Sequence, residues 1–572
     1  MEGAPGADMI GYLLLVAAGV VAYWPTLNAG FVWNDDTFLT ENPLIHAPDG
    51  LFRFWATKQA EDFWPVTSTT LWLEWRLWGP NAAGYHATHV LLHTASTVLL
   101  WRVLSRLRIR GALLGALLFA VHPVNVESVA WITQRKNLMA ILFFLASIRF
   151  FIEAEFRRHP IGGPSAAVAP PGFQGTYYGL SLLTFALAML SKGSVAPLPL
   201  VLAGIILWRR KFSLSDAVRL SPFVLIAVGL SAVNIWFQRH GTGSVIRDAS
   251  PAERLVGAGA AVGFYLWKAL VPVRLSFIYP QWSIKAGDPL WWIPLLAAVG
   301  ITLLLRRYSR KGFFGWAYFC VMLVPVLGFT DIYFMSYSLV ADHYQHLALI
   351  GVTTLAGFAL QRVAGNRAPR AIPAIVVCVL CCLTYRQCQA YTDSESLYRA
   401  TLTQNPDCWL AHNNLGNLLF GSGRAEEAIE HYERAVQLKP GDAKVRSNLG
   451  VALNLQGLSF FEAGKIPTAV ACYERALRLD PDDVDALNNL GGAQLTLGRT
   501  SEAIGLFQRA LLVKPNAPEM WYNLGNALAA SGRLVEAVAD YKRALRLRPD
   551  YPNALRNLAQ ASEQAARQGD TP

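Results

Sequence analysis

This 572-residue chain has few charged residues and few cysteines, and this scarcity excludes several classes of protein. Charged residues make up only 16% of it, against 53% hydrophobic residues, a balance too apolar for an ordinary soluble protein. The seven cysteines show no spacing of paired zinc ligands, so the cluster from Cys378 to Cys388 is interpreted as packed or lipid-facing. The sequence contains no phosphate-binding loop of a nucleotide hydrolase and no glycine fingerprint of a dinucleotide-binding domain.

Apolar stretches of roughly 16 to 22 residues fill the first two thirds of the chain, as membrane-spanning helices require. The first stretch has no basic residue before it and no small-residue cleavage site, so we expect a first span rather than a removable signal peptide. Twelve candidate spans lie near residues 9–27, 86–104, 112–131, 137–156, 176–190, 194–208, 218–237, 254–272, 290–305, 313–330, 342–361 and 371–388.

The net charge of +11 arises from basic clusters between the apolar stretches. This is the positive-inside pattern of membrane proteins, so we expect membrane lipids and no nucleic acid as partners. With a cytoplasmic amino terminus, twelve crossings would place the cluster Arg306–Lys311 outside, against the positive-inside rule. If residues 254–272 are re-entrant and do not cross, this cluster lies inside. The sequence therefore predicts about eleven crossings. An odd number puts the carboxyl-terminal part on the same side as Asp35 and Asp36, which is periplasmic or lumenal.

From about Tyr391 the pattern changes to amphipathic helices that repeat every 34 residues or so, which matches the tetratricopeptide repeat. We expect an all-α fold with a multi-pass membrane domain over residues 1–390 and an α-solenoid over residues 391–572. Residues 391–406 are predicted as a leading half-repeat and residues 552–567 as a closing helix. The second copy has about seven extra residues, which lengthen its first helix or its turn. The copies begin at Leu415-Gly416, Leu449-Gly450, Leu490-Gly491 and Leu524-Gly525.

Two adjacent carboxylates, Asp35 and Asp36, follow directly on the first span. Charges at such a boundary cost desolvation and mutual repulsion without helping insertion, so they need a chemical reason. One interpretation is that they cap a short interfacial helix. The other is that one of them is a general base for a hydroxyl acceptor, or that both, with Glu127, bind a divalent cation such as Mg²⁺ or Mn²⁺.

Further polar residues are expected on the same side of the membrane. His122 and Glu127 follow the third span and are candidate partners of the acidic pair. Arg135, Lys136 and Lys192 are candidates to hold a phosphate, with ordinary lipid headgroup contact as the alternative.

Two other groups carry weaker signals. His86, His89 and His93 share one face of the second span, where packed or hydrogen-bonded histidines are commoner than a metal site. The loop Ser336–Tyr344, with His343 and Tyr344, faces outward and is expected to close over a substrate. The loop Tyr279–Trp282 has the same role if residues 254–272 do not cross.

Several motifs together resemble one family, the transmembrane and tetratricopeptide-repeat O-mannosyltransferases and their bacterial relatives. The resemblance covers nearly the whole chain and implies the GT-C membrane glycosyltransferase fold. The motifs that carry it are Phe31-Val32-Trp33-Asn34-Asp35-Asp36, Glu41-Asn42-Pro43-Leu44, Phe63-Trp64-Pro65-Val66-Thr67-Ser68, Gly84-Tyr85-His86 and His122-Pro123-Val124-Asn125-Val126-Glu127-Ser128.

The resemblance implies transfer of a sugar, mannose in this family, from a polyprenyl or dolichyl phosphate to a protein hydroxyl. It implies a catalytic acidic residue at Asp35 or Asp36, an assisting carboxylate at Glu127, and donor phosphate binding by Arg135, Lys136 and Lys192. Where many relatives have arginine before the late span, this chain has His343, which is only partly charged at neutral pH and puts phosphate binding there in doubt.

Two alternatives stay open at the level of sequence. One is a membrane scaffold without catalysis, whose repeats recruit partner proteins. The other is a glycosyltransferase with a lipid or glycan acceptor. The absence of an obvious targeting signal favours a bacterial inner membrane, with the active face and the repeats in the periplasm.

Overall fold

A computed structural model describes residues 5–60, 62–158, 172–242, 246–366 and 371–569. These residues form α-helices joined by short 3-10 or π turns, with no β-strand among them. The predicted all-α fold class is confirmed. The chain divides into two compact units, Met1–Pro406 and Asp407–Pro572.

The first unit contains the membrane helices and the loops between them. Its α-helices are α1 (Pro5–Ala22), α2 (Pro43–His46), α3 (Gly50–Ala56), α4 (Pro65–Trp78), α5 (Ala82–Arg106), α6 (Ala112–Ala120), α7 (Val126–Ala130), α8 (Arg135–Arg158), α9 (Gly172–Ser191), α10 (Leu198–Arg209), α11 (Leu214–Thr242), α12 (Pro251–Leu270), α13 (Ile293–Tyr308), α14 (Arg310–Leu323), α15 (Leu349–Asn366), α16 (Ala371–Cys388) and α17 (Ser394–Gln404).

Each predicted span contains an α-helix, and four helical segments of the described chain are long and apolar enough to cross a membrane. A fifth crossing is possible in length and composition if the bent pair formed by α6 and Pro123–Ala130 is one span. The eleven crossings stay a prediction. The four segments are Ile132–Phe156, Leu214–Phe237, Pro289–Tyr308 and Ala371–Tyr391.

The third predicted span, residues 112–131, is not one helix. α6 ends at Ala120, and the helical path bends by 51° before Pro123–Ala130. The bend occurs because Pro123 has no N–H to continue the helix, and His122 is extended with its ring Nδ1 accepting a hydrogen bond from the Val124 N–H at 3.4 Å. The later span predicted at 342–361 is also shorter, because its helix begins at Leu349 after a turn.

One continuous apolar core joins the membrane helices. α5 packs against α1, α6 and α8, while α6 packs against α15. Gly111 and Gly357 allow the closest approach, since a Cβ at Gly111, whose φ is 78°, would lie 2.4 Å from the carbonyl oxygen of Gly357. A separate smaller core, centred on Leu44, Phe54 and Leu71, holds the loop helices α2 to α4 together.

The second unit is a row of helix pairs closed by a final helix. The predicted half-repeat, α17, lies in the first unit, so the structural boundary falls after Pro406. The predicted closing helix is present as α26. The helices of this unit are α18 (Trp409–Gly421), α19 (Ala425–Leu438), α20 (Ala443–Glu462), α21 (Ile466–Leu479), α22 (Val484–Thr496), α23 (Thr500–Val513), α24 (Pro518–Ala530), α25 (Leu534–Leu547) and α26 (Pro552–Gln568).

The extra residues of the second repeat lengthen its first helix. α20 has 20 residues, whereas α18, α22 and α24 have 13 each. Seven residues are about two helical turns, so residues that are seven positions apart lie on the same face of the helix. Gly457, not the predicted Gly450, therefore packs against Tyr473, as Gly416 packs against Tyr432 in the first repeat.

Asparagine side chains connect the first helices of successive repeats. The Asn448 amide donates to Asn413 at 2.9 Å, and the Asn523 amide donates to Asn488 at 2.8 Å. Asn489 and Asn454 form the equivalent bond at 3.0 Å. These bonds place α18, α20, α22 and α24 side by side, with a row of amide groups along them.

We expect Gly457→Ala to destabilise the repeats by about 1–3 kcal/mol, because its Cβ would lie 2.6 Å from the Tyr473 ring. Gly450→Ala is the matched control in the same helix. The nearest atom to its Cβ is 4.0 Å away, so this change should stabilise the helix by about 0.5–1 kcal/mol. Thermal unfolding followed by circular dichroism measures both effects. Equal effects of the two substitutions would contradict the register described above.

Candidate active site

Asp35 ties the first external loop to the segment before α8. Its Oδ1 accepts hydrogen bonds from the backbone N–H of Thr133 at 2.8 Å and from the Thr133 hydroxyl at 2.7 Å. Its Oδ2 accepts from the Val32 N–H at 3.0 Å. The loop between them contains Trp33 in the left-handed region, with φ 56°, a conformation that costs a bulky residue energy. Both oxygens of Asp35 are thus engaged in holding the loop.

Burial sets the ionisation of Asp35. The residue is fully buried, and desolvation raises its pKa from 3.8 to about 6, although the three donors from Val32 and Thr133 act in the opposite direction. The charge of Asp36 adds to the rise. This carboxyl is therefore a buried structural group with an unusual pKa.

Asp36 is exposed, unlike its neighbour. Its Oδ1 accepts hydrogen bonds from the N–H and the hydroxyl of Thr37, at 2.7 and 3.2 Å. The pair that looked equivalent in sequence is therefore divided between one accessible carboxylate and one that is enclosed.

Glu127 and His343 form a second buried pair. The His343 backbone N–H donates to Glu127 Oε2 at 2.9 Å, and His343 Nδ1 lies 2.8 Å from Oε1. Asn137 extends this pair, since its amide donates to Ser128 Oγ at 2.9 Å and to the His343 carbonyl at 3.3 Å. Lys192 completes the group by donating to Asn137 Oδ1 at 2.5 Å.

Neighbouring charges act in opposite directions on the pKa of Lys192. Burial lowers the pKa of Lys192 well below its ordinary value, and Lys136 lowers it further, whereas Glu127 and Asp62 raise it. Burial also lowers the pKa of His343, with Lys192 and Lys136 acting in the same direction. His343 is thus a neutral partner of Glu127 and carries no charge for a phosphate.

The three predicted phosphate-binding cations are placed differently. Arg135 is only 1% exposed and pairs with Glu74 at 2.7 Å, so its charge is already neutralised inside the protein. Lys136 Nζ lies 3.7 Å from the centre of the Trp64 ring. The structure therefore assigns Arg135 to a buried ion pair, whereas Lys136 lies over an aromatic ring of the first external loop and Lys192 joins the group of Glu127 through Asn137.

His122 does not join the acidic residues as predicted, and Tyr344, a residue of the predicted substrate loop, is buried. His122 Nε2 lies 3.0 Å from the Ala269 carbonyl, and its other ring nitrogen caps the turn at Pro123. The Tyr344 hydroxyl is buried without a hydrogen-bond partner among the described residues. The side chain of Tyr344 packs against the His343 ring at 4.5 Å between centroids.

The three histidines of α5 form hydrogen bonds with backbone carbonyls. His86 Nε2 lies 3.2 Å from the Gly30 carbonyl, His89 Nδ1 lies 2.9 Å from that of Val129, and His93 Nε2 lies 2.9 Å from that of Ala120. A carbonyl oxygen only accepts, so each of these ring nitrogens carries the hydrogen.

The two late loops contact each other. The Tyr279 hydroxyl donates to the carboxylate of Asp342 at 3.0 Å, and the Gln281 amide donates to the Met335 carbonyl at 3.3 Å. Burial, with the nearby charge of Glu127, raises the pKa of Asp342 well above its ordinary value. These loops therefore form one connected surface next to Glu127.

A cavity of about 200 Å³ lies in the first external loop. Its wall includes Thr37, which follows Asp36, and Thr133, which binds Asp35. Phe38 and Trp64 supply aromatic surface, and Asp62 supplies a carboxylate. This volume is below the roughly 300–1,000 Å³ of drug-sized ligand pockets, which suits a compact polar head group better than a long chain.

Comparison with known proteins adds independent information. The tetratricopeptide repeat family matches residues 386–443, 454–518, 497–552 and 522–568. A protein O-mannosyl-transferase of Caenorhabditis elegans is 24% identical over 461 residues, covering 75% of this chain and 62% of its own length. The protein O-mannosyl-transferase TMTC1 of Homo sapiens is 26% identical over 505 residues, with coverage of 76% and 56%.

This chain is homologous to the transmembrane and tetratricopeptide-repeat protein O-mannosyltransferases. It spans between about half and two thirds of the length of the curated relatives that it matches. Among solved structures, the first repeat domain of Spaghetti (RPAP3) is 26% identical, covering 20% of this chain and 93% of its own, with a TM-score of 0.20. The MamA protein is 23% identical, covering 30% and 84%, with a TM-score of 0.23.

The residues of this O-mannosyltransferase homologue do not fit the predicted divalent cation. Asp35 has both oxygens bound by protein donors, and Glu127 is bound by His343. Among the described ranges, no group of three or more His, Cys, Asp or Glu side chains is arranged to hold a metal ion. Asp35, Asp36 and Glu127 are thus not brought together as one ligand set.

Three residues of the site escaped the sequence analysis. Glu74 is the only acidic residue of α4, and a lone carboxylate in an apolar helix is a signal for a buried partner. Asn137 follows directly on Lys136, but nothing local indicates that it bridges Ser128, His343 and Lys192. Asp62 precedes the Phe63-Trp64-Pro65 motif. Because it lies in a loop, no periodic pattern indicated that it lines the cavity.

The pKa of Asp35 predicts a pH-dependent stability. A carboxyl whose pKa is raised by folding stabilises the folded state below its unfolded value near 4 and loses that contribution as the pH rises through 6. Between pH 4 and pH 7, the unfolding free energy of the wild type should fall by about 3 kcal/mol relative to that of Asp35→Asn. Denaturation of the detergent-solubilised chain at several pH values measures this difference. A difference that is independent of pH would contradict the assignment.

Proposed function

We propose that this protein is a membrane glycosyltransferase that moves mannose from a polyprenyl- or dolichyl-phosphate donor to a serine or threonine hydroxyl of a protein. The observation that carries the proposal is the exposed Asp36, which directly precedes Thr37 in the wall of a small aromatic and polar cavity, with Lys136 over the Trp64 ring of that wall. The protein O-mannosyl-transferase names of its homologues support the reaction class.

Asp36 is the general base in this proposal. An accessible carboxylate keeps its anionic form at neutral pH and can reach an acceptor hydroxyl that approaches from water. As the hydroxyl oxygen bonds to the anomeric carbon, its proton passes to Asp36 and the bond from that carbon to the phosphate oxygen breaks. The electron pair leaves with the lipid phosphate, and the configuration of the sugar inverts.

Lys192 and Lys136 are the groups that receive the leaving phosphate. The charges of Glu127 and Asp62 act on Lys192, and the charge of Asp62 also acts on Lys136. An arriving phosphate is a further negative charge, so it favours the protonated form of Lys192 that burial disfavours. The two lysines would therefore stabilise the phosphate once it is bound. Their attraction would increase further in the transition state, where the leaving phosphate gains negative charge.

Asp35 and Glu127 act as positioning residues in this scheme. Asp35 holds the loop that presents Asp36, through Val32 and Thr133. Glu127 holds His343 and, with Asn137, sets the position of Lys192. Both carboxylates are too enclosed to reach an acceptor hydroxyl directly.

The second unit is proposed to recruit the protein acceptor. Its row of asparagine amides offers donors and acceptors suited to the backbone of an extended peptide. The periplasmic or lumenal side predicted from charge is also the side on which a lipid-phosphate sugar, rather than a nucleotide sugar, is the sensible donor.

Asp36→Asn should lower sugar transfer about 10²- to 10⁴-fold, because it removes the general base, and it should leave thermal stability unchanged since Asp36 is exposed. Asp49→Asn is the control, as an exposed carboxylate of the same loop. Mass spectrometry of glycopeptides from cells carrying each variant measures transfer. Full glycosylation by Asp36→Asn would contradict the base assignment and favour the scaffold alternative.

Removal of residues 407–572 should reduce glycosylation of whole-protein acceptors much more than that of a short hydroxyl-containing peptide at high concentration. The physical reason is that the repeats raise the local concentration of the acceptor without entering the chemical step. Initial rates with both acceptors, measured on the truncated and the full chain, test this expectation. An equal loss with both acceptors would instead assign the repeats to folding of the membrane unit.

A further inference from the structure

A second and larger cavity, of about 620 Å³, lies among the membrane helices of the first unit. It runs between α10 and α14, with α15 and parts of α5 and α8 contributing to its wall. Its lining is largely aliphatic and aromatic, with Trp208, Phe314 and Tyr318 among the aromatic side chains. No function assigned above uses this space.

Positive charge gathers at one end of the cavity. Arg108, Arg110 and Lys311 belong to its lining, all three are exposed, and the lining contains no carboxylate. The ion pairs formed by the described residues include none of these three cations. Lys311 Nζ lies 4.8 Å from the centre of the Phe358 ring, so its charge stays at the mouth of the apolar space.

The backbone at Arg108 adds a second observation. Its φ is 55°, and its N–H donates to the Ser105 carbonyl at 2.9 Å, which places it in the left-handed position that follows a helix. Glycine is the usual residue there because it adopts this conformation without steric cost. An arginine at this position bears that cost, which indicates a use for its guanidinium group.

The charged end is remote from the candidate active site. Tyr85 and His86, in the first turns of α5, lie next to Arg135 and the first external loop, and α5 ends at Arg106, two residues before Arg108. Its 25 residues correspond to about 37 Å at 1.5 Å per residue. The cavity therefore opens near the opposite end of the helical bundle, among the basic clusters that predict the cytoplasmic side.

We propose that this cavity binds one anionic phospholipid of the cytoplasmic leaflet, with its phosphate at Arg108, Arg110 and Lys311 and an acyl chain along α10 and α14. Basic pockets between membrane helices on the cytoplasmic side attract anionic headgroups, and an apolar channel without carboxylates suits an acyl chain. The charge at one end and the hydrocarbon surface at the other match the two ends of a single lipid molecule.

Native mass spectrometry of the full chain, with phosphatidylglycerol or phosphatidylcholine of the same chain length, tests the proposal. We expect one phosphatidylglycerol to stay bound at least tenfold more tightly than phosphatidylcholine, and each lost cation to weaken it about fivefold. Arg108→Gly is the sharpest variant because it removes the charge and relieves the backbone. It should lower lipid binding while leaving thermal stability without lipid at least as high as that of the wild type.

Filling the cavity is an independent test. A Cβ at Gly204, which lines the cavity, would meet no atom within 4 Å, so Gly204→Phe should fold and occupy the space of the acyl chain. Gly300→Phe is the matched control, since Gly300 lies in α13 outside the cavity lining and also has open space around it. Only Gly204→Phe should reduce phosphatidylglycerol binding.

Three outcomes would overturn the proposal. They are equal binding of phosphatidylcholine, unchanged binding in Arg108→Gly and Gly204→Phe, or preferential binding of polyprenyl phosphate at this cavity. None of the readouts is sugar transfer, so the result is independent of the function proposed above.

Discussion

The membrane unit contains a buried segment that is not one continuous helix, and its backbone polar groups need hydrogen-bond partners from other elements. Residues 120–134 are buried throughout, and an unpaired carbonyl or amide in such surroundings costs several kcal/mol. Side chains from other elements satisfy this segment: His89 and His93 bind the carbonyls of Val129 and Ala120, and the Thr384 hydroxyl donates to that of Val121 at 2.7 Å. The histidines of α5 are therefore explained by backbone chemistry.

The same irregular segment organises the candidate site. A continuous helix would turn Glu127 and Thr133 onto different faces, whereas the bend presents Glu127 to His343 and Thr133 to Asp35. Asp35 then holds the first external loop and leaves Asp36 exposed. The two neighbouring carboxylates thus differ in access, because the oxygens of Asp35 are bound inside the protein while Asp36 is exposed.

The two ends of the helical bundle differ in their chemistry. At one end, Glu127, Asn137 and Lys192 belong to one hydrogen-bonded group, and a small cavity lies in the first external loop. At the other, three exposed cations border a long apolar space. α5 connects both ends, with hydrogen-bonding histidines near its start and the charged turn after Arg106 at its end. The proposed sugar transfer uses the first arrangement, and the proposed phospholipid site uses the second.

Local patterns were sufficient to predict much of this protein. Apolar stretches located the helices, and the spacing of glycine, alanine and tyrosine located the repeats, because helical periodicity depends on residues only a few positions apart. The motif around Asp35 and Asp36 also pointed to the loop in which the small cavity lies. The same patterns misassigned Gly450, since both Gly450 and Gly457 occupy the same face of one lengthened helix.

The sequence by itself determined the helical class, the repeat array and the set of residues among which a site had to be sought. Only the tertiary structure decided their partners: Arg135 with Glu74, Thr133 with Asp35, and His343 with Glu127. These residues are 61, 98 and 216 positions apart. Burial and hydrogen bonding at such separations depend on how the helices pack, so no local pattern reveals which charge is neutralised and which stays free to act.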